Sequence, residues 1–162
     1  MATLTAKVTE SITLDSGTVD STHTLSISNI TDVSKRVVTA AVAETGIVAF
    51  ATAGSTDLGK SYVAGQFDED EALYLRITNL DSTYHCTLTF RNENNDEFCI
   101  LLDKGQSFIY NGDLAGGMKD TMDAIDGTGI SLSLGDLVDV TAIADTQPIQ
   151  LEVFVASEAS AG

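Results

Sequence analysis

Apolar and polar residues alternate along most of this chain with a period of two, the mark of strands that bury one face. The pattern is clearest between Gly65 and Gly112. Leu73, Leu75 and Ile77 alternate with Tyr74, Arg76 and Thr78, and Tyr84, Cys86, Leu88 and Phe90 alternate with His85, Thr87, Thr89 and Arg91. Asn79-Leu80-Asp81-Ser82 separates these runs. Asn and Asp side chains hydrogen-bond nearby backbone and tolerate positive φ, which is turn chemistry. Residues 92–96 read as a polar hairpin loop, 98–102 as the return strand, and Lys104-Gly105-Gln106 as the turn into a strand over 107–110.

The same reading extends outwards. Residues 3–8, with Leu4, Ala6 and Val8 alternating, form a first strand that 11–14 continue after a bend and Asp15-Ser16-Gly17 ends. Residues 22–30 form a second strand with Leu25 and Ile27 inward, and Asp32-Val33-Ser34 turns the chain into a third over 36–42. There the β-branched run Val37-Val38-Thr39 outweighs the helix-favouring Ala40, Ala41 and Ala43. A short apolar strand over 47–52 precedes a Gly/Ser/Asp-rich loop over 53–64. In the insertion 113–128, Met118, Met122 and Ile125 have the spacing of one face of a short helix, and a strand begins near Ile130. Val138, Val140 and Ala142 line one side of a strand over 137–144, and Leu151, Val153 and Val155 align in the last strand, 149–156.

Nine to ten short strands with turn signals between them and at most one short helix predict an all-β, antiparallel β-sandwich of jelly-roll-like type. No fixed-period repeat points to a propeller or solenoid. Residues 1–162 read as a single domain, with 1–10 a candidate N-terminal arm and 157–162 a flexible tail. A chain of 162 residues buries enough surface to fold without metals or disulfides.

Charge narrows the partners. Lys and Arg number 8 against 24 Asp and Glu, a net −16. Nucleic-acid binding rests on cations that neutralise phosphates, so this balance opposes it, and it equally disfavours anionic membranes. It suits solubility, mutual repulsion and binding to cations or basic surfaces. The opening MATLTAKVTES carries no apolar run of signal length and no later stretch approaches a membrane span, so the expectation is synthesis in a cytosol without export by the general secretory route. Cys86 and Cys99 lie on neighbouring strands; a cross-strand disulfide is conceivable, and two reduced core thiols fit a reducing compartment better. Asn29-Ile30-Thr31 matches a glycosylation sequon that has no secretory context.

Candidate chemistry is thin, and no catalytic, cofactor or metal residue is assigned. His85 and Cys86 are adjacent on a strand and point to opposite faces, so they make no nucleophile–base pair. No G-x-S-x-G elbow accompanies the many Ser and Asp residues. The glycines at 112–117 and 127–129 lack phosphate-loop and dinucleotide spacing, and there is no close Cys/His ligand pair for zinc. Asp68-Glu69-Asp70-Glu71 and the set Asp120, Asp123, Asp126 are surpluses of hard oxygen ligands without an EF-hand pattern; a solvated face that discourages edge pairing is their ordinary role. Tyr62, Tyr74, Tyr84 and Tyr110 are too scattered for a sugar-stacking platform and default to packing.

The strings YLRITNLDSTYHCTLTF and EFCILLDKGQSFIYNG resemble a pattern in small virion proteins of tailed bacteriophages, marine and cyanobacterial ones especially. There, an R-I-T-N-L-D strand and turn leads into a strand, a polar hairpin and an L-x-x-G-x-S-F strand. TAKVTESITLD near the start and IQLEVFVAS near the end are similar in kind to the ends of such proteins. The resemblance implies a β-sandwich assembled in many copies on a virus particle. It implies a non-enzymatic capsid decoration (cement) protein, a homo-oligomer such as a trimer, with the major capsid protein as partner. Its place would then be the capsid surface of a virion assembled in a host cytoplasm. A tail, neck or fibre-base component and a glycan or host-surface binding module are the alternatives.

Overall fold

The computed structural model describes residues 2–51, 62–69, 71–93, 97–110 and 137–158. Ten strands are present among them: β1 (Ala2–Leu14), β2 (Gly17–Ala40), β3 (Thr45–Ala51), β4 (Gln66–Asp68), β5 (Ala72–Asn79), β6 (Cys86–Asn92), β7 (Glu97–Leu102), β8 (Ser107–Tyr110), β9 (Leu137–Ala144) and β10 (Ile149–Glu158). They form two five-stranded sheets, one ordered β1-β2-β10-β5-β8 and the other β4-β3-β9-β6-β7.

The pairings are nested. The β6–β7 hairpin lies inside the β5–β8 pair, that inside β3–β9, and that inside β2–β10, all antiparallel and alternating between sheets. One long hairpin rolled up in this way is a jelly roll, the all-β sandwich that the alternation predicted. Two strands lie outside the roll. β1 extends one sheet at the edge of β2, and β4, which the sequence pattern did not reveal, adds to β3 in parallel. That pair is a departure from the antiparallel expectation.

Side chains from both sheets interdigitate between them. Leu75, Ile77, Leu151 and Val155 face Val48, Leu88, Val140 and Ala142, all essentially without solvent exposure. Phe90 of β6 stacks on Phe98 of β7 with ring centroids 4.6 Å apart and meets Phe108 of β8, in the opposite sheet, at 4.8 Å. This aromatic trio ties the layers together. β3 is buried on both faces over Ile47–Ala51, and the segment after Tyr62 hydrogen-bonds along its edge (Ala64 N–H to Ile47 C=O, 2.8 Å).

Several expectations change. The bend expected after Val8 is absent, since β1 runs unbroken to Leu14. Asp32-Val33-Ser34 is not a turn: in place of separate strands over 22–30 and 36–42 there is one, β2, which runs from Gly17 to Ala40 and stops short of Val42. Ser157 and Glu158, expected in a flexible tail, belong to β10. The helix expected around Met118, Met122 and Ile125, the strand near Ile130, the glycines at 112–117 and 127–129, the acids Asp120, Asp123 and Asp126, Asp70, most of the 53–64 loop and residues 159–162 lie outside the described residues.

Candidate assembly surface

The long second strand creates the feature most open to function. From Ile30 to Ala40 β2 pairs with β10, but from Gly17 to Ile30 its one partner among the described residues is β1. Residues 2–14 and 17–30 are thus a two-stranded ribbon continuing past the end of β10, and they include the segment expected as an N-terminal arm. Register is unbroken from Leu4↔Ile27 to Leu14↔Gly17, closed by the two-residue loop Asp15-Ser16. At about 3.4 Å per residue the ribbon is roughly 35 Å long.

Two irregularities set its orientation. Between Ala2 and Leu4 of β1 the partner steps from Ile30 to Ile27, with Asn29 at φ 66°, a left-handed conformation that Asn tolerates better than most residues. Between Ser157 and Glu158 of β10 the partner steps from Asp32 to Ile30. Together these bulges turn Leu25 and Ile27 onto the same side as Ile30, which faces away from the sandwich interior. Ile30, Tyr74 and Ala156 are buried there in a small outer cluster, with Leu4, Ala6, Ile27, Leu73 and Phe154 packed against it. Tyr74 meets Phe154 edge to face at 5.9 Å. Leu25 and Ile27, expected inward, are half-buried on this outer side.

Beyond that cluster the register places Val8, Ile12, Leu14 and Val19 on the ribbon's same face, all exposed; Val19 keeps 62% of its surface in solvent. Glu10, Ser21 and His23 interrupt that face, and the opposite face is Thr and Ser, with Lys7 and Asp20. The apolar face runs on into the outer face of the sheet, where Val33, Val37 and Ile109 are also exposed. Its charges are nearly balanced: Glu10, Glu152 and Glu158 against Lys35 and Arg76, on a chain of net −16. Glu152 accepts hydrogen bonds from Arg76 (2.6 Å) and is paired with Lys35 (3.0 Å), and the Arg76 hydrogen bond, then that of Lys35, holds its carboxyl below the usual range. Arg76 also lies 5.9 Å from the Phe154 ring centre.

The other polar constellation is on the second sheet. Arg91 of β6 contacts Asp139 of β9 through Nη1 at 3.0 and 3.1 Å, Glu97 of β7 at 2.6 Å and Glu44 at 3.6 Å. The Tyr62 hydroxyl donates to Asp139 Oδ2 at 2.8 Å. Burial and that hydrogen bond push the Tyr62 hydroxyl pKa far above its ordinary value. Burial opposes the Arg91 charge, but the Glu97 hydrogen bond and the surrounding carboxylates outweigh it and hold the guanidinium more firmly protonated. A phenol that keeps its proton and a guanidinium ringed by carboxylates have no acid–base work at neutral pH. The group clamps β6, β7, β9 and the Tyr62 segment together.

The remaining candidates are dispersed. Cys86 is buried opposite Leu102, and burial pushes its thiol up to about 11, whereas Cys99 is exposed opposite Thr89. Their registers keep them apart: both thiols are free, and Cys99 is not a core residue. His85 is half-exposed and 3.9 Å from Asp145, on the face of β6 opposite to the buried Cys86; His23 is exposed on the ribbon. Asp68 ends β4, and no group of three or more potential ligands gathers among the described residues. Tyr84 and Tyr110 pack against the main core. Asn29 of the sequon occupies the left-handed bulge position, which accounts for Asn there. Comparison with protein-family models, curated proteins and solved structures finds no match to this chain.

Proposed function

We propose that this chain is a non-enzymatic structural protein of a phage virion, a capsid decoration protein that binds the outer surface of the major capsid shell and stabilises it. The observation that carries the reading is the ribbon. Among the described residues the ribbon has no third strand and no covering layer, and a bare two-stranded hairpin is marginal in water. One whose first strand nonetheless alternates apolar and polar residues, with Glu10 the single break, to its tip is suited to packing on another molecule. A jelly roll bearing such an arm supplies a rigid body and a means of joining neighbouring molecules, which is what a protein repeated over a shell needs. Strong net negative charge also fits a partner that lies outside packaged nucleic acid, and the strings around Asn79 and Gly105 resemble small phage virion proteins. Stabilisation would come from contact area bridging neighbouring capsid subunits against internal pressure.

The test is co-sedimentation of the purified chain with expanded, emptied heads of the virus that encodes it, and with its isolated tails. Saturable binding to heads and a higher temperature of head disruption are expected. Binding to tails alone would overturn the capsid assignment in favour of a tail or neck component.

A further inference from the structure

We infer that the apolar face of the β1–β2 ribbon, with the adjoining outer face of its sheet, is a contact surface for a second copy of this chain. The inference deepens the assembly reading and identifies the surface and its occupant, but does not need the capsid assignment. Three observations support it.

The first is area. Two strands about 4.8 Å apart over a length of roughly 35 Å present about 350 Å² on one face. The outer sheet face around Val33, Val37 and Ile109 continues it. The ribbon face alone is within the ~300–600 Å² of a typical monomer's largest apolar patch, which is often functional, and below the ~800 Å² per partner of a standard interface, so a contact of that size includes the adjoining sheet face. The second is composition. Val8, Ile12, Leu14 and Val19 are exposed on one face, whose distal half is interrupted by Ser21, His23 and a single carboxylate, Glu10. Interface centres are depleted of charge in this manner.

The third observation selects the occupant. The chain carries −16, yet this face holds three acids, Glu10, Glu152 and Glu158, against two bases, with Lys35 and Arg76 both paired to Glu152, so it is close to neutral. A basic partner would be drawn to the acidic surfaces elsewhere. A nearly neutral apolar face on an anionic molecule is where another equally anionic molecule can approach facing the least like charge. A second copy is such a molecule, and closed symmetric association is the common outcome for identical chains.

The experiment measures the mass of the full-length chain by sedimentation at tens of micromolar, without any capsid. A multiple of 17.0 kDa is expected. The double substitution Ile12→Glu/Val19→Glu, on the ribbon's apolar face, is expected to reduce it to 17.0 kDa, while Thr13→Glu/Thr18→Glu, on the opposite face of the same ribbon, leaves the oligomer intact. A wild-type monomer, or an oligomer indifferent to the first pair, overturns the inference. Should the first pair misfold, hydrogen exchange on the unaltered chain decides: amide protection over β1 should fall on dilution by about a hundredfold, and constant protection would be decisive against it. Head binding by a chain that stays monomeric would refute the self-contact and leave the decoration reading standing; an oligomer that binds no heads would do the reverse.

Discussion

At the scale of single residues, the turn between β5 and β6 shows how local chemistry holds this fold. Asn79 is fully buried; its Nδ2 donates to the carbonyls of Tyr84 (2.9 Å) and Leu102 (3.2 Å), and its Oδ1 accepts from the Asp81 N–H (2.9 Å). Asn79→Ala strands two carbonyls and one N–H, and is expected to lower unfolding free energy by about 3 kcal/mol in denaturant titration. Asp81 accepts from the N–H groups of Tyr84 and Thr83, which depress its pKa, the Tyr84 bond most. A depressed carboxylate adds stability that is present above its unfolded pKa, near 4, and is lost as pH falls through the folded value. Wild type should therefore lose stability more steeply than Asp81→Asn below about pH 4, while the two curves run parallel between roughly pH 5 and 7. Thr141 is a converse case. Its buried hydroxyl finds no hydrogen-bond partner among the described residues, so Thr141→Val should raise stability by about 1 kcal/mol. The Asn79–Asp81 turn was legible in sequence because its partners are mostly near neighbours. The Arg91–Asp139–Tyr62 clamp was not, because Asp139 is 48 residues from Arg91 and 77 from Tyr62, and only the roll brings them together.

At the scale of elements, alternation revealed what buries one face and failed where neither or both faces are buried. β5, β6 and β10 were legible for the first reason. β3, buried on both sides, read only as an apolar run, and β4, three residues long in an acidic stretch, gave no signal. The misreading of Asp32-Val33-Ser34 has a similar cause. That part of β2 has solvent on one side and the edge of the sandwich on the other, so polar residues there look like a turn. Asp32 does accept its neighbour Val33 N–H at 2.8 Å, turn-like local chemistry within a strand. The bulge at Asn29 decides which way the ribbon faces. Asn29→Gly should leave thermal stability nearly unchanged, because Gly accepts φ 66° freely, whereas Asn29→Val should cost about 1–2 kcal/mol. Exchange protection should then drop first at the ribbon base, around Leu4, Ala6 and Ile27, and only weakly in β6 and β9. Equal losses throughout would mean that the bulge does not govern the ribbon separately.

For the whole molecule, the distribution of charge governs what assembly costs. Sixteen net negative charges on each copy repel at every approach, and bringing copies together is least unfavourable across the nearly balanced face formed by the ribbon and the outer sheet. If that face is where copies meet, the cohesive part of the contact is apolar and the opposing part is long-range repulsion. Salt acts on these differently. The screening length falls from roughly 30 Å at 0.01 M to about 10 Å at 0.1 M and 3 Å at 1 M, so added salt removes repulsion between copies while hardly touching apolar contact. Self-association should accordingly tighten, by about tenfold or more between 0.02 and 0.5 M sodium chloride, when followed by sedimentation. An interface built on ion pairs would respond with the opposite sign, and docking onto a basic shell surface would weaken over the same range. Measured together, the two salt dependences separate the contact between copies from the contact with a partner: self-association strengthening while head binding weakens would place them on different surfaces, one neutral and apolar, the other acidic.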